Sequence, residues 1–228
     1  MTRQAVRALL PQDCFLCQAF AGTSLLCHGC SRDLPKIPAT ACPVCGLPAV
    51  GGETCGACLS DPPSFDATRS GFRYAFPLDH LVQALKYRHH LVVAQFFAEV
   101  LRETATCLPT PVDLALALPL SEMRLRQRGF NQALEIARPL ARRCGWPLSA
   151  HGYRRVVDTA PQTSLPWKER HRNVRGAFEC DLDLTGKNVI VIDDVMTTGA
   201  TLNEFAQVLK QHGAAHVTNL VAARAFKD

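Results

Sequence analysis

Apolar and polar positions follow two different rhythms along the C-terminal three quarters of this chain. The four consecutive apolar residues Val189, Ile190, Val191 and Ile192 predict a strand buried on both faces, the signature of a parallel sheet. Val112 to Leu118 and Ala215 to Ala222 read the same way, and Tyr153 to Val157 predicts a shorter strand. Between them the period changes to that of an amphipathic helix. Leu78 to about Thr104 predicts a long helical stretch interrupted near Arg88-His89-His90. Gln132 to Arg143 predicts a helix stopped by Gly145 and Pro147, and Leu202 to His212 predicts another. Phe65 to Phe76 alternates in part and contains Gly71, which predicts a short hairpin. Strands alternating with helices give an α/β domain: a mainly parallel sheet with helices on both faces.

The N-terminal quarter has no such rhythm, and cysteine spacing replaces it. Cys14 and Cys17 form a first CxxC and Cys27 and Cys30 a second. Cys42, Cys45, Cys55 and Cys58 repeat the pattern 28 residues later. Each CxxC folds into a knuckle with two thiolates aimed at one metal, and a structural Zn²⁺ takes four such ligands in a tetrahedron. A segment this poor in large apolar residues draws its stability from metal. We therefore expect two structural zinc ions held by eight cysteines. Spacing alone leaves two pairings open: sequential, or cross-braced between the two units. Disulfides and an iron–sulfur cluster fit less well. Asp61-Pro62-Pro63-Ser64 marks a boundary, giving a double zinc ribbon over residues 1–62 and the α/β domain over 63–228.

The chemistry concentrates immediately after the strand at 189–192. Asp193 and Asp194 come first, then the hydroxyl-rich stretch Thr197, Thr198, Gly199, Ala200, Thr201, then a helix. Ligands of open α/β sheets sit beyond the carboxyl ends of the strands. A helix N-terminus offers unpaired N–H groups to a phosphate, and Gly199 permits a turn that a Cβ would hinder. Paired carboxylates repel phosphate but suit the vicinal hydroxyls of a ribose. The expected ligand is a sugar diol with a phosphate on its 5′ side. No Gly-Lys-Ser/Thr ending makes this a P-loop, and no GxGxxG follows a strand.

The string VIVIDDVMTTGAT resembles the motif by which type I phosphoribosyltransferases bind 5-phosphoribosyl 1-pyrophosphate (PRPP). The resemblance implies that Asp193 and Asp194 hold the ribose hydroxyls, that Thr197 to Thr201 wrap the 5′-phosphate, and that Mg²⁺ accompanies PRPP. The turn after Leu118, Pro119-Leu120-Ser121, lacks the glycine usual against the pyrophosphate in those enzymes.

Composition adds bounds. The apolar fraction of 47% and charged fraction of 20% are ordinary for a globular protein of 228 residues. A net charge of +5 permits contact with phosphates or nucleic acid without demanding it. No apolar run is long enough to insert in a membrane, and the first residues lack the apolar centre of a secretory signal, so the expected location is cytoplasmic. Positive charge gathers between Glu122 and Arg175, where Arg124, Arg126, Arg128, Arg170 and Arg172 become candidates for pyrophosphate or DNA contacts.

LPLSEMRLRQRGFNQA, then RRVVDTAPQTSLPWKERHRNVRGAF, then the PRPP motif, all preceded by two CxxC ribbons, resemble the ComF family of competence proteins. The ALKYRH segment fits as well and adds Lys86 to the candidate contacts. The family resemblance implies a phosphoribosyltransferase-like fold and a role in natural transformation, with single-stranded DNA and the DNA-uptake machinery as partners. It implies no acceptor base. Transfer of phosphoribosyl to an acceptor, non-catalytic binding of single-stranded DNA, and sensing of PRPP all remain open. Aromatic residues make up 7% of the chain, few for a protein that binds single strands by stacking.

Overall fold

A computed structural model describes residues 12–157 and 174–226. Its centre is a five-stranded sheet in which every neighbouring pair is parallel. The strands are β3 (Ala67–Arg73), β4 (Leu114–Ala117), β5 (Leu148–Ser149), β8 (Asn188–Met196) and β9 (His216–Arg224), in the order β3-β9-β8-β4-β5. The apolar run at 189–192 is the buried middle of β8, which continues through both aspartates to Met196. Register pairs Ile192 with Leu220 and Asp193 with Val221.

Helices α3 (Leu78–Arg88), α4 (Leu91–Thr104) and α6 (Gln132–Cys144) precede or follow β4, and α7 (Ala200–Gln211) links β8 to β9. The chain steps from β4 to β5 in one direction along the sheet and from β8 to β9 in the other. Right-handed crossovers in opposite directions put their helices on opposite faces. Accordingly α4 packs against α6 on one face. On the other, Phe205 of α7 meets Tyr153 and Phe178 at ring distances of 5.6 and 5.1 Å.

The expected break between α3 and α4 is real: His89 adopts a left-handed φ of 55°, its N–H bonded to Ala84 O. α6 begins on Asn131, whose side chain accepts from the N–H groups of Ala133 and Leu134, and ends on Gly145 at φ 71°. Such caps satisfy the helix's orphan donors and permit its left-handed exit.

Two expectations need correction. Phe65 to Phe76 is not a hairpin. It supplies the single edge strand β3, parallel to β9. Gly71 is there because a Cβ would lie 2.8 Å from Val100 Cγ1, where α4 crosses the strand closely. The strand at Tyr153 is β6 (Tyr153–Arg155), and it lies outside the main sheet, antiparallel to β7 (Phe178–Cys180). A helix not expected from the periodicity, α5 (Glu122–Arg128), follows the turn after β4.

The N-terminal segment forms two small units. The first holds β1 (Gln12–Asp13), β2 (Phe20–Gly22) and α1 (His28–Arg32), and its Cys14, Leu26 and Leu34 join the main core. The second ends in α2 (Gly56–Ser60). Residues 35–43 run along the outer edge of β3. Pro35 O accepts from Arg73 N at 2.9 Å and Pro43 O from Thr68 N at 3.0 Å, while Lys36 bridges Phe72.

Candidate functional site

The opposed crossovers leave a crevice where β8 and β4 diverge, the place where open α/β sheets receive ligands. A cleft of about 500 Å³ opens there. Asp193 to Thr197 and Gly199 supply its floor, Leu118 to Leu120 one wall, and Lys86 and Tyr87 from the end of α3 the other. Its size suits a small phosphorylated ligand.

Both aspartates are fixed by the backbone. Asp193 Oδ1 accepts from Asp194 N at 2.8 Å, and Asp194 Oδ1 from Val195 N at 2.7 Å. Lys86 Nζ stands 3.0 Å from Asp194 Oδ2. Burial raises Asp193 well above the usual carboxylate range, the neighbouring Asp194 adds to this, and Lys86 only partly offsets it. Burial works against the Lys86 ammonium too, but attraction to Asp194 and Asp193 wins and its pKa stands above the ordinary value. The acid pair is thus a confined negative centre with one cation drawn onto it.

The hydroxyl-rich loop turns at Gly199, φ 87°, where a Cβ would meet Met196 Cε at 2.7 Å. Thr197, Gly199 and Thr201 face the cleft. Thr198 Oγ1 instead accepts from Ala200 N at 3.2 Å at the start of α7.

Of the basic candidates, Arg124 and Arg128 line the cleft, one helical turn apart on the same face of α5. The three arginines of α5, candidates alike in the sequence, therefore divide. Only Arg126 points away, pairing with Glu122 at 3.0 Å in solvent. Lys86 faces the acids rather than open space. Arg170 and Arg172 lie outside the described residues. Arg155, 7% exposed, also lines the cleft, so four cations face two carboxylates there.

Several residues of the site escaped the sequence reading. Tyr87 stands at the rim, 66% exposed, with the Arg128 guanidinium 5.4 Å from its ring centre. Gln132 is buried to 2% at the cleft wall. Arg224 ends β9 at 1% exposure. It lies two residues past the strand expected over Ala215 to Ala222.

The eight cysteines gather into two groups, Cys14, Cys17, Cys27 and Cys30, and Cys42, Cys45, Cys55 and Cys58, with the sulfurs of each within 4.8 Å of one another. This is the sequential pairing; cross-bracing is excluded. Zn–S bonds of about 2.3 Å put the sulfurs of a tetrahedron about 3.8 Å apart. Cys17 Sγ to Cys27 Sγ is 3.6 Å and Cys45 Sγ to Cys55 Sγ is 3.7 Å, so both groups fit the ion. His28 is exposed and belongs to neither. Burial opposes the Cys14 thiolate, but the N–H groups of Cys17, Cys27 and Leu16 outweigh it and bring the thiol to about 6. Cys42 comes to about 7 by the same balance, through the N–H groups of Cys45, Cys55 and Val44. Cys30 is pushed up, by its hydrogen bond with Cys17 first; Cys58 is pushed up too, by burial and then Cys45. A dication at the centre would let all four ionise.

An acid pair and a Thr-Gly turn at the switch point of a parallel sheet, with two four-cysteine knuckle pairs ahead of it, define a phosphoribosyltransferase-type domain joined to a double zinc ribbon. Family models agree: the double zinc ribbon domain matches residues 5–59 and the phosphoribosyl transferase domain residues 132–225. The chain belongs to the family of competence protein F and DNA utilization protein YhgH. It is 35% identical to YhgH of Escherichia coli K12 over 221 residues, covering 91% of this chain and 95% of that one. Competence protein F of Haemophilus influenzae is 30% identical over 212 residues, 88% of this chain and 90% of that one. Competence protein ComFC of Bacillus subtilis is 28% identical over 212 residues, 87% and 84% of the two chains. Among solved structures, the allosteric regulatory enzyme of purine biosynthesis aligns with 57% of this chain and 26% of that one, at 18% identity and a TM-score of 0.36. No described helix is long and apolar enough to cross a membrane.

Proposed function

We propose that this protein binds PRPP, or a related ribose 5-phosphate, in the cleft at the end of β8 and acts in the use of incoming DNA. The observation that carries the reading is the convergence of Asp193, Asp194 and the Thr197–Thr201 turn on one cleft with Lys86, Arg124 and Arg128. In this reading the aspartates accept hydrogen bonds from the two ribose hydroxyls and the turn takes the 5′-phosphate. Arg124 and Arg128 meet the pyrophosphate, whose charge also draws Lys86 off Asp194. Mg²⁺ arrives as part of the ligand, neutralising the pyrophosphate. The names of the relatives, competence protein and DNA utilization protein, support the DNA role. Tyr87 and Arg128 at the rim favour a single strand as the partner, since an exposed ring beside a guanidinium is a stacking platform for a base.

The test is isothermal titration of the zinc-loaded protein with Mg²⁺-PRPP, repeated with single-stranded DNA present. PRPP binding that alters DNA affinity supports a PRPP-responsive DNA-handling protein. Pyrophosphate release when a nitrogen nucleophile is supplied makes it a transferase. No heat from either PRPP or ribose 5-phosphate removes the reading.

A further inference from the structure

Arg224 joins two parts of the molecule that lie far apart in sequence. Its side chain is 1% exposed at the end of β9. Nε donates to Cys45 O at 2.8 Å. Nη1 donates to Met196 O at 3.2 Å, to Thr197 O and to Ala225 O at 2.8 Å. One end of the guanidinium therefore holds the knuckle of the second cysteine group, and the other holds the start of the hydroxyl-rich turn. Gly46 gives the knuckle its left-handed turn, φ 72°, beside the stem of Arg224. Among the described residues no carboxylate forms an ion pair with this cation.

Two physical consequences follow. A buried guanidinium requires both hydrogen-bond acceptors and counter-charge. The carbonyls supply the first. The second comes from the thiolates: a dication with four thiolate ligands carries a net charge of −2, and Cys45 is one of the four. The other consequence concerns the turn. Peptide groups are planar and trans, so N–H points opposite to C=O. Holding the Met196 and Thr197 carbonyls on Arg224 turns the N–H groups of Thr197 and Thr198 the other way, away from the guanidinium. Thr197, Gly199 and Thr201 line the cleft in this same turn.

We propose that Arg224 is a positioning residue that makes the order of the 196–199 turn depend on the metal at Cys42, Cys45, Cys55 and Cys58. The second zinc site then acts on the ligand cleft as well as on its own fold. Metal loss frees the knuckle that carries Cys45 O, Arg224 loses its fixed end, and the turn carbonyls are no longer held. The first site, which makes no contact with Arg224, exerts no such control.

The experiment is amide hydrogen exchange of the full chain, read at peptides spanning 195–201 and, as a reference, 114–117. Zinc is removed from Cys30→Ser, which retains only the second site, and from Cys58→Ser, which retains only the first. Removing the second ion speeds exchange in the turn about tenfold and leaves the 114–117 reference unchanged; removing the first changes neither peptide. In Arg224→Met the turn exchanges fast with both ions present, and removing the second ion adds nothing. Arg224→Lys, which keeps charge but not the fork, falls between and covers the case of a misfolded Met variant. The idea is overturned if the turn ignores the second ion in a chain that retains Arg224, or if both ions affect it equally. A second arm uses ribose 5-phosphate and rests on the proposed function. By linkage, saturation raises the affinity for the second ion, read by equilibrium competition with a chelator, by the factor by which that ion strengthens ribose 5-phosphate binding. If ribose 5-phosphate does not bind, the ligand reading fails, and the exchange data still decide the coupling.

Discussion

Lys86→Met isolates the electrostatics of the cleft, because methionine keeps most of the stem and removes only the charge. At 3.0 Å from Asp194 Oδ2, and with an effective dielectric constant of about 20, the attraction is about 5 kcal/mol before solvation costs are counted. The side chains are 21% and 8% exposed, so dehydration cancels a large part of it. Those dehydration costs drop out of a double-mutant cycle, which reads the pair alone. The cycle of Lys86→Met with Asp194→Asn is expected to give a coupling of about 3 kcal/mol, with the double variant more stable than Lys86→Met alone. Urea unfolding of the zinc-loaded protein measures it. The pH dependence has a definite sign. Lys86 is raised above its ordinary 10.5, so its contribution is complete below that value and is lost as pH rises through the folded one. Asp193 is also raised, so its contribution is present at low pH and lost as pH rises through its folded pKa. Without Lys86, Asp193 takes up a proton more readily, and the gap between wild type and Lys86→Met narrows as the solution is acidified. A coupling below about 0.5 kcal/mol, the additivity error of such cycles, or a gap that widens on acidification, would refute this account of the acid pair.

Four further outcomes are expected. Asp193→Ala and Asp194→Ala should each weaken ribose 5-phosphate binding by about 1–3 kcal/mol in titration calorimetry, the worth of a charge-assisted hydrogen bond, while circular dichroism shows the fold intact. Elemental analysis should find two zinc ions per chain, and Cys14→Ser should lose one and keep the other, because the two cysteine groups are separate. Gly199→Ala should cost about 1–2 kcal/mol in urea for its left-handed turn and weaken phosphate-ligand binding further by pushing on Met196. Arg124→Gln and Arg128→Gln should each weaken binding of Mg²⁺-PRPP while sparing that of ribose 5-phosphate, which lacks the pyrophosphate, whereas Arg126→Gln, facing solvent with Glu122, should leave both unchanged.

Sequence legibility followed the nature of each signal. β8 with its aspartates could be read because a four-residue apolar run, an acid pair and a Thr-Gly turn are all local features. The zinc ligands could be read because cysteine spacing is local too, but their pairing could not, since both arrangements satisfy the same CxxC geometry and only the folded chain chooses. Phe65 to Phe76 was misread because alternation gives the period of a strand and not its partner: β3 pairs with β9, some 150 residues away. α5 was missed because its seven residues are too few for a helical period to emerge, and with it went the split between Arg124 and Arg128 on one side and Arg126 on the other. Lys86 was recognised as part of the site, but its partner Asp194 lies 108 positions further on, and no local pattern encodes that distance. Arg224 lies past the strand expected over Ala215 to Ala222, and its role depends on a knuckle 179 positions earlier that no local pattern encodes.

Residues 35–43, laid along β3 with Pro35 and Pro43 accepting its outward N–H groups, have a consequence for how the protein fails. An exposed parallel edge is a template for another chain, and this sheet's other edge strand, β5, is only two residues long. The covering segment is anchored at one end by Cys42 of the second cysteine group. Chains made under zinc starvation would uncover that edge while the rest of the sheet remains folded, and folded sheets with a bare edge join one another. Scarce metal should thus show itself in the cell as precipitated protein, with the soluble fraction still fully loaded.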